Sequence, residues 1–148
     1  MIANNVIQAD IVADAKLDAN ITAKLKNGSS DEVREDQYQG TQFGYPNIRV
    51  AIRRQDPIPN REQCDHARLI FSVMCYAEGG SSKACDELAH AVNARYHKRF
   101  FKADTWTSWL RSSGLNSAIR IANNLWRAEC MFQGTVYPNS AQPTWHSP

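Results

Sequence analysis

The stretch HARLIFSVMCYA, residues 66–77, decides the fold. Ala67, Leu69, Phe71, Val73 and Cys75 fall on one side, and His66, Arg68, Ile70, Ser72, Met74 and Tyr76 fall on the other. A period of two is the signature of a strand. One face is wholly apolar, and the second is wet at one end and apolar at the other. A long central strand with one side partly covered has this pattern.

Upstream, Ile48, Val50 and Ile52 alternate with Arg49, Ala51 and Arg53, which predicts a half-buried strand, and Pro57-Ile58-Pro59-Asn60 makes a stiff connection. Downstream, Gly79-Gly80 breaks the chain, and Ser81 or Ser82 can cap a helix over Lys83–Phe101. Cys85, Leu88, Val92 and Tyr96 line one side of that helix at steps of three and four. Its last turn is basic, as the helix dipole favours. In Lys102–Gly114, Trp106, Trp109 and Leu110 have helical spacing, with Asp104 or Thr105 as a cap, so a short extra helix is predicted to lay two indoles over the core. Ser117–Ile121 and Leu125–Tyr137 form a hairpin around Asn123-Asn124. Trp126, Ala128, Cys130, Phe132 and Val136 face inward, and Arg127, Glu129, Met131 and Gln133 outward.

The N-terminal Asn5–Leu25 reads as helix, with Ile7 and Ile11 on one face and Ile21 and Leu25 as another pair. A break at Asp14–Asp18 would split it into two short helices, and Asn27-Gly28 supplies a stop. Ser29–Tyr45 has no clear period and reads as a flexible loop. Its acids Asp31, Glu32, Glu35 and Asp36 crowd around Arg34. They form either a solvated face or an arm that orders against a neighbour. The tail over 138–148 is expected to fray, with Trp145 able to dock.

The expectation is a single α+β domain over residues 1–148. Its mostly antiparallel four-stranded sheet carries the central helix packed across it, the N-terminal helix and the short Trp-containing helix. The 148 residues suffice for one real core. Seventeen Lys and Arg against fifteen Asp and Glu leave a formal charge of +2, which lends no support to wholesale phosphate-backbone binding. The hydrophobic share of 43% fits a globular chain. No secretion signal or membrane-length apolar run is present, so the expected compartment is cytoplasmic. In that compartment Cys64, Cys75, Cys85 and Cys130 are expected as reduced thiols. A zinc site among Cys64, His66, Cys75 and Cys85 is a minor alternative, because no CxxC pair occurs.

The sequence lacks the common catalytic and nucleotide-binding motifs. Gly79-Gly80 has neither the spacing nor the lysine of a phosphate loop. Asp86, Glu87 and His90 lie close on one helix, but nothing else is bound to converge on them. Cys85 lies on the apolar stripe beside Leu88, as an inert thiol would. His66, His97 and His146 are scattered. No catalytic residue, cofactor site or metal site is assigned, and no enzymatic activity is expected. Arg49, Arg53 and Arg54 are open to three readings: a solvated sheet face, a basic strip for an acidic partner subunit, or a DNA contact.

The order of elements resembles the tail terminator, or tail completion, family of the head–tail neck of tailed bacteriophages. The resemblance runs from Ile7–Leu25 through Pro46–Arg53, Leu69–Tyr76 and Lys83–Phe101 to Trp126–Tyr137. That last segment carries Arg127 where the family often has an arginine. It implies a homo-oligomer, a hexameric ring that caps the tail tube. The implied partners are the tail tube protein and neck or head-completion proteins, with the sheath as a further one, and no membrane. It also implies residence in the virion tail–neck region after assembly in the host cytoplasm. Candidate interface residues are Arg49, Arg53, Arg54, Tyr38, Phe43, Tyr45, Arg127 and Glu129. The Ser29–Tyr45 loop and the Lys102–Gly114 insertion depart from compact members, so a head-to-tail adaptor remains open beside the terminator. A small nucleic-acid-binding module is the alternative of a different class.

Overall fold

The structure, a computed structural model, describes residues 1–38, 44–58 and 66–139. The chain runs through helix α1 (Asn4–Ala15), a short α2 (Ala19–Thr22), two 3-10 turns and β1 (Val33–Glu35). It continues through β2 (Asn47–Pro57), β3 (Ala67–Glu78), α3 (Lys83–Tyr96), β4 (Arg99–Lys102), β5 (Trp106–Leu115), β6 (Ile119–Ala122) and β7 (Leu125–Pro138). Among the described residues the strands form one curled, seven-stranded sheet of order β1-β2-β3-β7-β5-β4, with β6 pairing with β7 off this path. The β1–β2 pair is parallel, and the other pairs are antiparallel.

The four-stranded sheet expected from the sequence is therefore wrong in size, and the expected Trp-containing helix does not exist. Lys102–Gly114 is mostly β5. Trp106, Ser108 and Leu110 are buried, while Trp109 and Arg111 are exposed, so the true period is two. Ser108 interrupts the apolar set and leaves Trp106, Trp109 and Leu110 imitating a helical stripe. The predicted long helix stops at Tyr96, and Lys98 takes φ 59. The chain then turns back into β4, which no periodicity announced.

Strand β3 behaves as its alternation predicts. Leu69, Phe71, Val73 and Cys75 are buried on the side that carries the helices. The β7 set Ala128, Cys130, Phe132 and Val136 joins them there. Helix α3 lies across β3 and β7, and α1 lies across β2 and β1 on the same face. At the centre, Phe71, Tyr96 and Phe132 meet with ring centroids 5.3–6.1 Å apart, and tilted or edge-on contacts suit the aromatic quadrupole. Cys75, Cys85 and Cys130 are free and buried where α3 meets the sheet. Burial pushes the Cys85 thiol up to about 11, and a hydrogen bond with Cys130 together with burial holds Cys75 well above its ordinary value. Cys64, Trp145 and His146 lie outside the described residues.

Polar contacts fix α1 in place. The Gln8 side chain donates to the Val50 carbonyl at 2.7 Å, and the Trp106 indole donates to Asp10 at 2.7 Å. Asp14 is gripped by two arginines at once. Arg95 Nε and Nη2 both lie 2.9 Å from its oxygens, and Arg99 reaches them at 3.1 and 2.9 Å. Arg95 also reaches Asp18 at 3.3 Å. The break after α1 thus has a structural purpose: it returns Asp18 to the same guanidinium. Burial alone would raise the Asp14 pKa, but the hydrogen bond and charge of Arg95 and the charge of Arg99 outweigh it and hold it below 3.8.

The sign of this linkage is definite. A depressed native pKa stabilises the fold fully above the unfolded aspartate range, and the stabilisation is lost as pH falls through the native value. Removing one partner of such a pair strands the others. D14N should cost about 3 kcal/mol in urea unfolding at pH 7, and the difference from the parent should narrow below about pH 4. A second site is steric. A Cβ on Gly134 would run into Ser108 Oγ and the Trp109 carbonyl, so G134A should lower stability by about 2 kcal/mol.

Candidate interaction surfaces

Among the described residues the helices pack on one face of the sheet, and the other face carries no helix. Arg53 sits at a register shift in β2, between the pairs Ile52–Phe71 and Arg54–Ile70. From there its guanidinium spans three strands. It reaches Ser72 at 3.2 Å, the Met74 sulfur at 3.6 Å and Glu129 at 3.1 Å. The Glu129 pKa is held low, first by its hydrogen bond with Ser72 and then by Arg53. Arg53 and Glu129, chosen separately from the sequence, form one network, with side chains 42% and 24% exposed.

Arg49 lies on the same face but not at the surface. It is 5% exposed and donates to the Glu35 and Tyr38 carbonyls at 3.3 and 3.4 Å. Burial lowers its pKa, although it stays a cation. The Tyr38 ring receives the Arg34 guanidinium at 4.1 Å and that of Arg49 at 5.2 Å, as cation–π pairs do. Arg49 and Tyr38 therefore hold the turn after β1. Arg54 is 69% exposed and pairs with Asp56 of its own strand at 2.6 Å. Arg127 is half-buried and lies between Tyr76 of β3 and Ile119 of β6. Tyr45 is half-buried just before β2. Phe43 lies outside the described residues. The three arginines singled out together are thus divided among a buried clamp, a cross-strand network and an exposed local pair.

The acid-rich segment carries the parallel edge strand β1, whose Val33 enters the core beside Ile48. The sheet therefore ends at β1, and β2 is interior. At the opposite end, among the described residues, β4 pairs only with β5. Its surroundings are basic, with Lys98, Arg99 and Lys102, whereas Asp31, Glu35 and Asp36 surround β1. The exposed large apolar residues are concentrated near β4–β5 and β6: Phe100, Trp109, Leu115, Ile119 and Ile121. Sequence reasoning missed the Phe100–Trp109 pair, because each was assigned to a helix.

Among the described residues, no group of three or more His, Cys, Asp or Glu could hold a metal ion. Asp86 and His90 are exposed on α3, and Asp86 instead accepts the Ala118 backbone N–H at 3.0 Å. No described helix is long and apolar enough to cross a membrane.

No protein-family model and no curated protein matches the chain. Solved structures do match. A chain in the structure titled "Virion of native gene transfer agent (GTA) particle" is similar with a TM-score of 0.63 at 15% identity, over 85% of this chain and 91% of that chain. The two share a fold across nearly their whole lengths.

The two strip arginines should separate under mutation. R49E places a carboxylate against the Glu35 and Tyr38 carbonyls and should cost about 3 kcal/mol in urea unfolding. R53E acts at a half-exposed site and should cost about 1 kcal/mol. Equal losses would contradict the different burial of the two side chains.

Proposed function

We propose that this chain is a non-enzymatic virion protein that closes a ring at the end of a phage-type tail tube, as tail terminators do. The observation that carries this reading is the fold shared with a gene transfer agent virion chain over 85% of the sequence. The segments Ile7–Leu25, Pro46–Arg53, Leu69–Tyr76 and Trp126–Tyr137, which carry the resemblance to the tail terminator family, support it further.

The chemistry of the two sheet ends supports a head-to-tail ring. Heterologous contacts need two unlike, complementary surfaces on one subunit. Here the β1 end is acidic and the β4 end is basic. Each subunit would present β1 with Asp31, Glu35 and Asp36 to Lys98 and Lys102 of the next. Joining edges also removes the exposed backbone groups that make free strand edges prone to uncontrolled pairing. Six copies are the count that the family resemblance implies. The partners under this reading are the tail tube protein on one axial side and neck or head-completion proteins on the other.

Light scattering across a concentration series, with negative-stain imaging, tests the ring. The expected species is a closed ring near six copies, dissociated by K98E/K102E and by high salt. A monomer at every concentration that also fails to bind polymerised tail tube would overturn the proposal.

A further inference from the structure

On the outer face of the sheet, away from the Arg53 network, residues of β3, β7 and β5 form an open basin of about 460 Å3. Arg68 is opposite Thr135 in the register. Trp109 lies midway between the pairs Thr107–Tyr137 and Arg111–Gln133, and so also faces Thr135. Phe100 pairs with Trp109 from β4. One row across four strands thus reads Arg68, Thr135, Trp109, Phe100, with Arg111 and Gln133 beside it on one flank and Tyr137 on the other.

Three features set this basin apart from ordinary surface. Trp109, Phe100 and Tyr137 are 63%, 48% and 41% exposed, and the first two pack as a unit with centroids 5.3 Å apart. No carboxylate among the described residues pairs with Arg68 or Arg111. Asp56, opposite Arg68 in β2, is occupied by Arg54 at 2.6 Å. Finally, Arg111 is held in position. With the Gln133 amide in the orientation that satisfies both its ends, its oxygen accepts from Arg111 Nε at 3.2 Å and Nη2 at 3.3 Å, leaving the remaining N–H groups to point elsewhere.

We infer that this basin docks an acidic segment of a partner protein, with a carboxylate taken between Arg68 and Arg111 and an adjacent apolar side chain laid on Trp109 and Phe100. Tryptophan, tyrosine and arginine are the side chains that dominate protein–protein hot spots. An arginine with its fork oriented in advance binds a carboxylate in two-point fashion at a lower entropic cost. A polyanion fits less well. Only two arginines line the basin, and a phosphate chain leaving it toward β2 would meet Asp56 on the same face. Nucleic-acid tracks need a continuous row of cations. Arg68, Trp109, Arg111 and Gln133 lie on strands inside the sheet, and Phe100 alone of the docking residues belongs to the β4 end.

The test is a titration of the 15N-labelled full chain with the blocked peptide acetyl-Gly-Leu-Asp-Glu-Leu-Gly-amide, read at the indole N–H signals. The Trp109 signal should move saturably. The Trp106 signal, held by Asp10, should stay still and report an intact fold. The Asn/Gln analogue of the peptide, and the R68Q/R111Q variant with the acidic peptide, should each bind about tenfold more weakly. W109A should also weaken binding. Three results would overturn the inference: an unmoved Trp109 signal, equal binding of the amide analogue, or tighter binding of oligothymidylate. So would a change in the mass of the R68Q/R111Q protein alone, because the basin would then belong to a self-contact.

Discussion

Strand β3 is hydrogen-bonded on both sides along nearly its whole length, to β2 from Pro57 back to Asn47 and to β7 from Leu125 to Val136. A slip of one residue would turn Leu69, Phe71, Val73 and Cys75 out of the core and bring Arg68, Ser72 and Tyr76 in. Everything else is arranged around that constraint. Helix α3 crosses at Cys75 and Cys130, against which its Cys85 and Ala89 are seated. Tyr96 closes the aromatic cluster because its helix ends above Phe71 and Phe132. Helix α1 is then tied to α3 and β4, some eighty residues on, through the one carboxylate of Asp14.

The legible parts of the fold were those with many residues in one period. The alternation of β3 and β7, the stripe of α3 and the turn at Asn123-Asn124 are all where the sequence placed them. The strands it did not reveal are short or polar. Val33–Glu35 and Arg99–Lys102 are three and four residues long, too brief for a period to register. In β5, buried Ser108 and exposed Trp109 reverse the usual correspondence of polarity with side. Counting strands from apolar alternation alone therefore found the middle of the sheet and missed its margins.

The candidate interaction residues show the same division. Alternation placed Arg49, Arg53 and Glu129 on one side of the sheet, and all three lie there. It could not tell that the turn after β1 folds over Arg49, because that cover comes from backbone carbonyls of Glu35 and Tyr38. Nor could it join Phe100 to Trp109, a contact that exists only once β4 and β5 are seen as a pair. Residues that touch through unrecognised strands are invisible to any pattern read along the chain.

The thiols of Cys75, Cys85 and Cys130 occupy the seam between α3 and the sheet, with Cys85 donating to the Cys75 carbonyl at 3.2 Å and Cys130 to that of Ala89 at 3.4 Å. A thiol shielded from water is out of reach of a reagent. These three sulfurs stay chemically silent while the helix is seated and become available when it lifts away. The seam therefore carries its own clock: the rate at which an alkylating reagent captures them counts the openings of the core.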